Sequence, residues 1–497
     1  MGASRRLLLG AALVACSPSF ANSSGVVANE AESCDLAVVG AGIGGAFAAW
    51  QAAEAGKKVC VFELSNRPGG RIHSLREQGP KKDLVVEAGA YRFAPHQVCS
   101  PTEGWCVYTP ITAASVKKLG LASGVYDPDP KNWDNQLRKI VDAEGQNIGY
   151  LTLVETMLAR ATQKGARIWF QTEVTALSAA NSSSVQVQVA DGRVFNAGAV
   201  LLNIPQMPVM KLLRQSGEPF SSMFPEPLYA PASYPIMKLY LHYEDAWWRN
   251  YLGLVSGPFE NANASPNSSS AVIQIHDIPS QGPAPLKGQY HDGDVRCDGP
   301  AGKCRGFLQA FYSGGSSIDW YKSFHSWDGD AAMQISSNSV ENKELLASIH
   351  SALVELHREA LDAANVTALV EKLRPDSGVL SIWSQGVKGI HAGCHLPKPG
   401  LHPKPEDLPA AALRPFPGFP VYVANEAYGP VSCWAEGSLN MSCAVLDHLS
   451  VPRPSWLEEH LQMGPSLHFP PPGTDPFLFR KTSSQQAATQ TGRGIVI

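Results

Sequence analysis

A chain of 497 residues is too long for one ordinary hydrophobic core, so two domains are expected. Hydrophobic residues make up 44% and charged residues 17% of it, which excludes a disordered or fibrous chain. Lys and Arg total 40 against 44 for Asp and Glu, and a net charge of −4 gives no electrostatic case for a nucleic-acid partner.

Residues 1–21 read as a targeting segment. Arg5 and Arg6 precede the apolar run Leu7–Ala15, which is too short to span a bilayer, and cleavage after Ala21 would leave small residues at Ser19 and Ala21. The expected location is secreted or extracytoplasmic. A second reading is a lipid-anchored bacterial lipoprotein, because Leu13-Val14-Ala15-Cys16 fits a lipobox. No later run is long and apolar enough for a membrane span. Ten cysteines, one of them in this segment, suit an oxidising compartment. Cys99 with Cys106, and Cys297 with Cys304, are close enough for local disulfides, although spacing alone does not fix connectivity. No cysteine–histidine spacing fits a zinc site, so no metal is expected.

Cys34–Arg71 organises the chain. Asp35–Val39 is a short apolar run ending at glycine, the pattern of a buried parallel strand. Gly40, Gly42 and Gly45 fit G-x-G-x-x-G, with Ile43 and Gly44 completing the turn. Ala46–Ala55 reads as a helix and Val59–Phe62 as a second buried strand, ending at Glu63 and Leu64. This is a dinucleotide-binding βαβ unit. Gly40 permits the tight turn, Gly42 admits a pyrophosphate, and Gly45 lets helix and strand approach. The helix N-terminus offers free N–H groups to phosphate, and Glu63 can accept from a ribose hydroxyl.

Asn66–Arg71, with RPGGR at its core, follows the acid directly. It resembles the second glycine motif of FAD-dependent amine oxidases, a family that includes monoamine, polyamine and L-amino-acid oxidases. The resemblance implies FAD as cofactor, with Gly70 and Arg71 at its phosphates. Asp83–Arg92 resembles the family's E-x-G-A segment, which passes under the flavin ring, and so implicates Gly89, Ala90, Tyr91 and Arg92. EAGAYR also resembles the G-x-M-R segment of L-amino-acid oxidases, whose arginine grips the substrate carboxylate. A guanidinium suits that task through two parallel charge-assisted hydrogen bonds.

Further on, Val98–Tyr108 reads as a loop, Ile111–Leu119 as a helix and Tyr126–Gly145 as a short polar stretch. L-amino-acid oxidases of the snake-venom type carry a large helical domain here, so the resemblance fails at this point. Leu151–Lys164 has one apolar helical face. Ala166–Phe170, Thr172–Leu177, Val185–Val189 and Val194–Leu202 read as strands, with a hairpin signal at Asp191–Gly192. By resemblance, the backbone of Val174 touches adenine.

In Ser233–Trp248, Pro235–Tyr243 alternates like a strand, and Trp247–Trp248 would cap a core. The family has a lysine in a similar strand that holds a water against flavin N5, which implies a catalytic Lys238. A buried ammonium there can stabilise developing negative charge on O₂. Gly257–Gly306 reads as a decorated excursion, and its Tyr290 weakly resembles a tyrosine that assists the substrate carboxylate. Phe307–Tyr312 is a strand and Glu344–Ala360 a long helix. Gly378–Trp383 starts the return to the cofactor, with Trp383 in the substrate pocket.

Gly418–Leu449 resembles the family's closing block. Glu426 in VANEAY is similar to the acid beside the FAD pyrophosphate and ribose, with Asn425 where glycine is usual. Ala435, Glu436, Gly437 and Ser438 open a helix whose N–H groups would face flavin N1–O2. Trp434 falls where the family places one wall of its aromatic cage, and so is both a substrate-aligning and a cofactor-facing residue. Cys394 is displaced from the spacing of the covalent flavin anchor, so FAD is expected to be non-covalent.

The expected fold is α/β of the two-domain FAD amine oxidase type, a doubly wound Rossmann-like FAD domain interleaved with a mixed-sheet substrate domain. The FAD domain takes residues 34–97, 150–226 and 376–450, the substrate domain 98–149 and 227–375, and 451–497 form a tail that wraps the surface or is disordered. The leading functional expectation is oxidative deamination of L-amino acids by O₂, giving 2-oxo acids, ammonia and hydrogen peroxide. The alternatives are an oxidase of primary amines or polyamines, and a flavin-binding protein without turnover. A homodimer is compatible with the sequence.

Overall fold

Both faces of the first strands are covered, which is why their sequences run apolar without alternating. In the computed structural model, β1 (Glu32–Val39) pairs in parallel with β2 (Val59–Phe62), Leu36 opposite Val59 and Val39 opposite Phe62. Residues 32–99, 106–126, 136–223, 225–258, 289–299, 302–398 and 407–461 are described. Residues 1–31, where a targeting segment is expected, and the tail beyond Leu461 lie outside them. Between β1 and β2, α1 (Ile43–Glu54) is buried from Ile43 to Ala53, because helices cover the side that faces away from the sheet.

In chain order there follow β3 (Leu84–Glu87), α2 (Pro110–Lys118), α3 (Leu151–Gln163), β4 (Arg167–Trp169), β5 (Val174–Asn181), β6 (Ser184–Val189) and β7 (Val194–Leu202). Then come β8 (Ile236–Tyr243), β9 (Gln289–Cys297), β10 (Cys304–Gly314), β11 (Ala332–Ser336), α4 (Val340–Leu356), β12 (Ser377–Trp383), β13 (Cys394–Pro397), β14 (Val421–Val423), α5 (Ala435–His448) and α6 (Ser455–Leu461). The first sheet has the order β5-β6-β7-β1-β2-β4, with β14 beside the end of β7. The second runs from Ser256–Pro258 through β9-β10-β8-β12-β11, and its pairings are antiparallel. This is a two-domain α/β architecture, a Rossmann-like domain and a sheet-based second domain. Trp247 and Trp248 are fully buried in the second core, as expected.

Packing redraws several expected boundaries. β12 is a central strand of the second sheet, so the return to the first domain begins after Trp383, not at residue 376. Helix α2 and Ile140 belong to the first core, although residues 98–149 were assigned to the second domain. The stretches read as irregular carry strands. Val98–Cys99 pairs with Cys106–Val107, Ala122–Val125 pairs with Arg138–Val141, and β9 occupies part of the presumed excursion. The start of the tail is helical and docked, with Trp456 stacked on Trp50 at 5.6 Å and Leu457 buried. The Cys99–Cys106 and Cys297–Cys304 disulfides form across hairpins, and two further bridges join Cys34 to Cys60 and Cys394 to Cys433.

Candidate active site

A cavity of about 1070 Å³ runs between the two domains, from the glycine turn after β1 to Lys238 and Tyr312 on the second sheet. At its near end Gly40 has φ +100, and a Cβ there would stand 2.6 Å from the Asn203 carbonyl oxygen, so only glycine fits. A Cβ at Gly42 would meet only Asn203 Oδ1, at 3.4 Å, and one at Gly70 only the Gly42 Cα, at 3.7 Å. The two glycine turns therefore present bare backbone to the same open cleft, as a pyrophosphate requires. Ile43, Leu64 and Val174 line it. Glu63 also lines it and braces the turn from beneath. Its Oε2 accepts from the Ala41 N–H at 2.8 Å, and its Oε1 accepts from Ser65 N and Oγ at 2.9 and 2.7 Å. These residues fit FAD.

Gly44 and Gly45 serve packing and do not line the wall. A Cβ at Gly45 would collide with the Gly40 carbonyl, and one at Gly44 with Ser438 and Asn203 where α1 meets α5. Asn203 itself was not anticipated. It directly follows β7, donates to the Ala424 carbonyl and to Ser438 Oγ, and faces the cavity. Its place at the carboxyl end of a parallel strand is the signal that could have found it.

Glu426 is the electrostatic hub of the middle section. Its Oε1 accepts from Arg71 Nη1 at 2.5 Å and meets His395 Nδ1 at 2.7 Å, while Oε2 accepts from the Cys433 N–H at 3.0 Å. Burial alone would push the carboxyl up, but Arg71 and His395 outweigh it and hold its pKa down at about 2. Arg71 also donates to the Gly393 carbonyl at 3.1 Å. Asn425 needs no glycine, since its φ is −142 and its Oδ1 accepts from the Ala427 N–H.

At the far end, Lys238 is buried on β8. Its Nζ donates to the carbonyls of Glu87 and Gly89 at 3.1 and 2.5 Å and lies 3.4 Å from the Tyr91 ring centroid. Burial drives its pKa well below the usual lysine range, with Glu87 opposing and Arg92 adding to the shift. Gly89, Ala90, Tyr91, Trp383, Trp434, Ala435 and Ser438 share this cavity with Lys238. Trp383 Nε1 donates to the Ala88 carbonyl at 2.7 Å. Tyr312 was missed. It pairs with Lys238 across the β8–β10 ladder and faces the same space.

Three further expected contacts are corrected. Arg92 does not line the cavity. Its guanidinium lies over the rings of Tyr91, Tyr126 and Trp434, at 5.0, 5.3 and 6.0 Å. Glu436 points away from the cofactor face, fully buried, and caps α2 by accepting from Ile111 N, Thr112 N and Thr112 Oγ1 at 2.8, 3.0 and 2.8 Å. Burial raises its pKa to about 7 against those bonds. Gly437 is not on the wall either, and a Cβ there would strike the Val431 carbonyl. Tyr290 lies in β9, its backbone paired with Gly257, and not in a loop; its side chain is outside the description. His242, Glu244 and Asp376 bring potential ligand atoms within 4.8 Å, but His242 Nδ1 already stands 3.0 Å from Asp376 Oδ1.

Two family models match this chain. One, described as an NAD(P)-binding Rossmann-like domain, covers residues 38–100, and the other, flavin containing amine oxidoreductase, covers 116–286. An all-trans-retinol 13,14-reductase from Danio rerio is 47% identical over 55 residues, 11% of this chain and only 9% of the reductase's length. Among solved structures, a double mutant of putrescine oxidase redesigned for cofactor binding superposes with a TM-score of 0.54 at 13% identity, covering 84% of this chain and 100% of that one. The wild-type putrescine oxidase bound to putrescine gives 0.53 at 13% identity, covering 84% and 99%. At such identities the likeness shows the fold.

Proposed function

We propose that this chain, an FAD-dependent amine-oxidase-family protein, oxidises an amine with O₂ as acceptor, and that its substrate is a primary amine or polyamine. The balanced reaction takes R–CH₂–NH₂, O₂ and water to an aldehyde, ammonia and hydrogen peroxide. Bound FAD supplies the two-electron acceptor for the amine carbon, which O₂ then regenerates. The chain's own groups do the rest. The glycine turns and Arg71, held in place by Glu426, would hold the phosphates. Tyr91, Tyr312, Trp383 and Trp434 wall the far end, orient an apolar carbon and exclude water. Lys238 Nζ, with its pKa depressed, can hold or yield a proton beside them.

The observation that carries the amine reading is the position of Arg92. The arginine expected to grip a substrate carboxylate through two parallel hydrogen bonds is turned onto aromatic rings and is not among the residues lining the cavity. The L-amino-acid reading stays as the second one because this guanidinium lies one ring behind the wall, against Trp434. We read FAD as non-covalent, since Cys394 is bonded to Cys433. Four disulfides likewise support an extracytoplasmic location.

A peroxide assay across diamines, monoamines and L-amino acids tests the reading. Amines should exceed the matching amino acids in kcat/KM, and Arg92→Ala should change that preference by less than about threefold. Better turnover of amino acids, with a loss of about 10²-fold or more in Arg92→Ala, would overturn it in favour of the second reading. FAD that stays with the denatured chain would refute non-covalent binding.

A further inference from the structure

The functional reading gives the Cys394–Cys433 disulfide no part beyond closing off a thiol, yet the bridge stands in the cofactor wall. It joins β13 to the segment before α5 across a separation of 39 residues. Both of its ends are held against groups that face the cavity. Before Cys394, the Gly393 carbonyl accepts from Arg71; after it, His395 meets Glu426. At the other end, the Cys433 N–H donates to Glu426 Oε2, and Trp434 follows as the N-cap residue of α5. Cys433 lines the cavity while Cys394 is buried behind it. Cys433 also has φ +66, a left-handed conformation that a side-chain-bearing residue keeps only when its surroundings impose it. The covalent link and the Glu426 hydrogen bond are two constraints that impose it here.

We propose that this disulfide is a thiol-sensitive positioning latch for the FAD wall. It holds Trp434 and the Arg71–Glu426 pair in the arrangement that binds the cofactor, and its reduction lowers FAD affinity. The inference rests on the FAD reading above. A small dithiol is the reductant. One of its thiolates attacks Cys433 Sγ, the sulfur at the cavity, and the bond to Cys394 breaks. Cys394 leaves as a thiolate and takes a proton. The second thiol of the reagent then displaces Cys433 and closes the reagent's own disulfide, so two electrons pass from dithiol to cystine. Cys433 is then released from β13 and can leave the left-handed region. Its N–H turns from Glu426, and Trp434 turns with it. Linkage requires the converse as well. If FAD binds the latched form better, bound FAD must protect the bridge from reduction.

The test uses the full chain and FAD itself. Cys394→Ser with Cys433→Ser should raise the Kd for FAD about tenfold or more and make the bound flavin more fluorescent, because an aromatic wall has moved. Cys297→Ser with Cys304→Ser, on a hairpin of the second sheet and not among the cavity-lining residues, should leave both unchanged. In the wild type, dithiothreitol followed by alkylation and mass mapping should label Cys394 and Cys433 faster without FAD than with it, and labelling should track flavin release. A folded double variant, judged by circular dichroism, with wild-type Kd and emission overturns the latch, as does labelling indifferent to FAD. Should the double variant not fold, the dithiothreitol measurement decides alone. A wild type that binds no FAD overturns the cofactor reading, and the latch with it.

Discussion

Replacing Glu426 by Gln should make stability less dependent on acid, and by a calculable amount. The carboxylate is buried, and three donors or cations converge on it from Arg71, His395 and Cys433. They hold its pKa at about 2 in the fold against an ordinary 4.5. That difference corresponds to about 3 kcal/mol of stability, at roughly 1.4 kcal/mol per pH unit. Because the folded value is the lower one, the stabilisation is complete above about pH 4.5 and drains as pH falls toward 2; roughly half of it is gone by pH 3. Gln keeps one acceptor oxygen but leaves the Arg71 charge uncompensated, a loss of similar size. Urea unfolding of both proteins at pH 7, 5, 4 and 3, followed by tryptophan fluorescence, should give a gap of about 3 kcal/mol at neutral pH that closes on acidification. A gap that stays constant or widens toward pH 3 would refute the assignment of Glu426 as the ionised hub.

Gly42→Val should keep its fold and lose its cofactor. The backbone there has φ −68, open to any residue, and a Cβ meets only Asn203 Oδ1, so an unfolding midpoint that falls together with flavin content would count against an open phosphate site. Lys238→Met should slow the O₂ half-reaction by about 10²-fold while slowing amine oxidation much less, as expected for loss of a preorganised proton donor where negative charge develops on O₂; stopped-flow traces showing equal effects would make Lys238 structural. Glu436 has the opposite sign to Glu426. Its folded pKa is raised to about 7, so the stability it contributes is present below pH 4.5 and lost as pH rises through 7. Wild-type melting should therefore decline over that window, and Glu436→Gln should flatten the decline; an identical slope in the two proteins would contradict a buried, proton-binding carboxyl.

The first βαβ unit was legible because its constraints are local. A strand covered on both faces must run apolar, and Gly40 must be glycine because of its φ and the Asn203 carbonyl. Lys238 was legible as a costly cation in an apolar strand. The two hairpin disulfides were legible because each spans seven positions. Cys394–Cys433 was not, since 39 residues separate its ends and only tertiary folding brings them together. The side on which a residue stands was also hidden. Tyr91 lines the cavity while its neighbour Arg92 folds back over the Tyr91 ring and against Tyr126 and Trp434, packing that no local pattern announces. Glu436 sits in a motif that resembles a cofactor contact, but its partner is the N-terminus of α2, more than 300 residues upstream. β12 looked like part of the first domain because only its pairing with β8 and β11 reveals the second sheet.

The two domains meet on three consecutive carbonyls. Lys238 Nζ and Tyr240 Oη donate to Glu87 O, Ser381 Oγ and Trp383 Nε1 to Ala88 O, and Lys238 Nζ again to Gly89 O. All four side chains belong to β8 and β12. On the opposite edge, Ala88 N and Ala90 N donate to the carbonyls of His73 and Arg71, just past the second glycine turn. Residues 87–90 are thus stitched to the cofactor-binding turn through their N–H groups and to the second sheet through their carbonyls. The distance between the phosphate cradle and Lys238 is therefore set by backbone hydrogen bonds, with little dependence on which side chains occupy 88 and 90. Gly89 is the exception, because a Cβ there would strike the Arg71 carbonyl and force the turn and the sheet apart. The segment recognisable from sequence by its glycine is, in the fold, the joint that fixes one half of the site against the other.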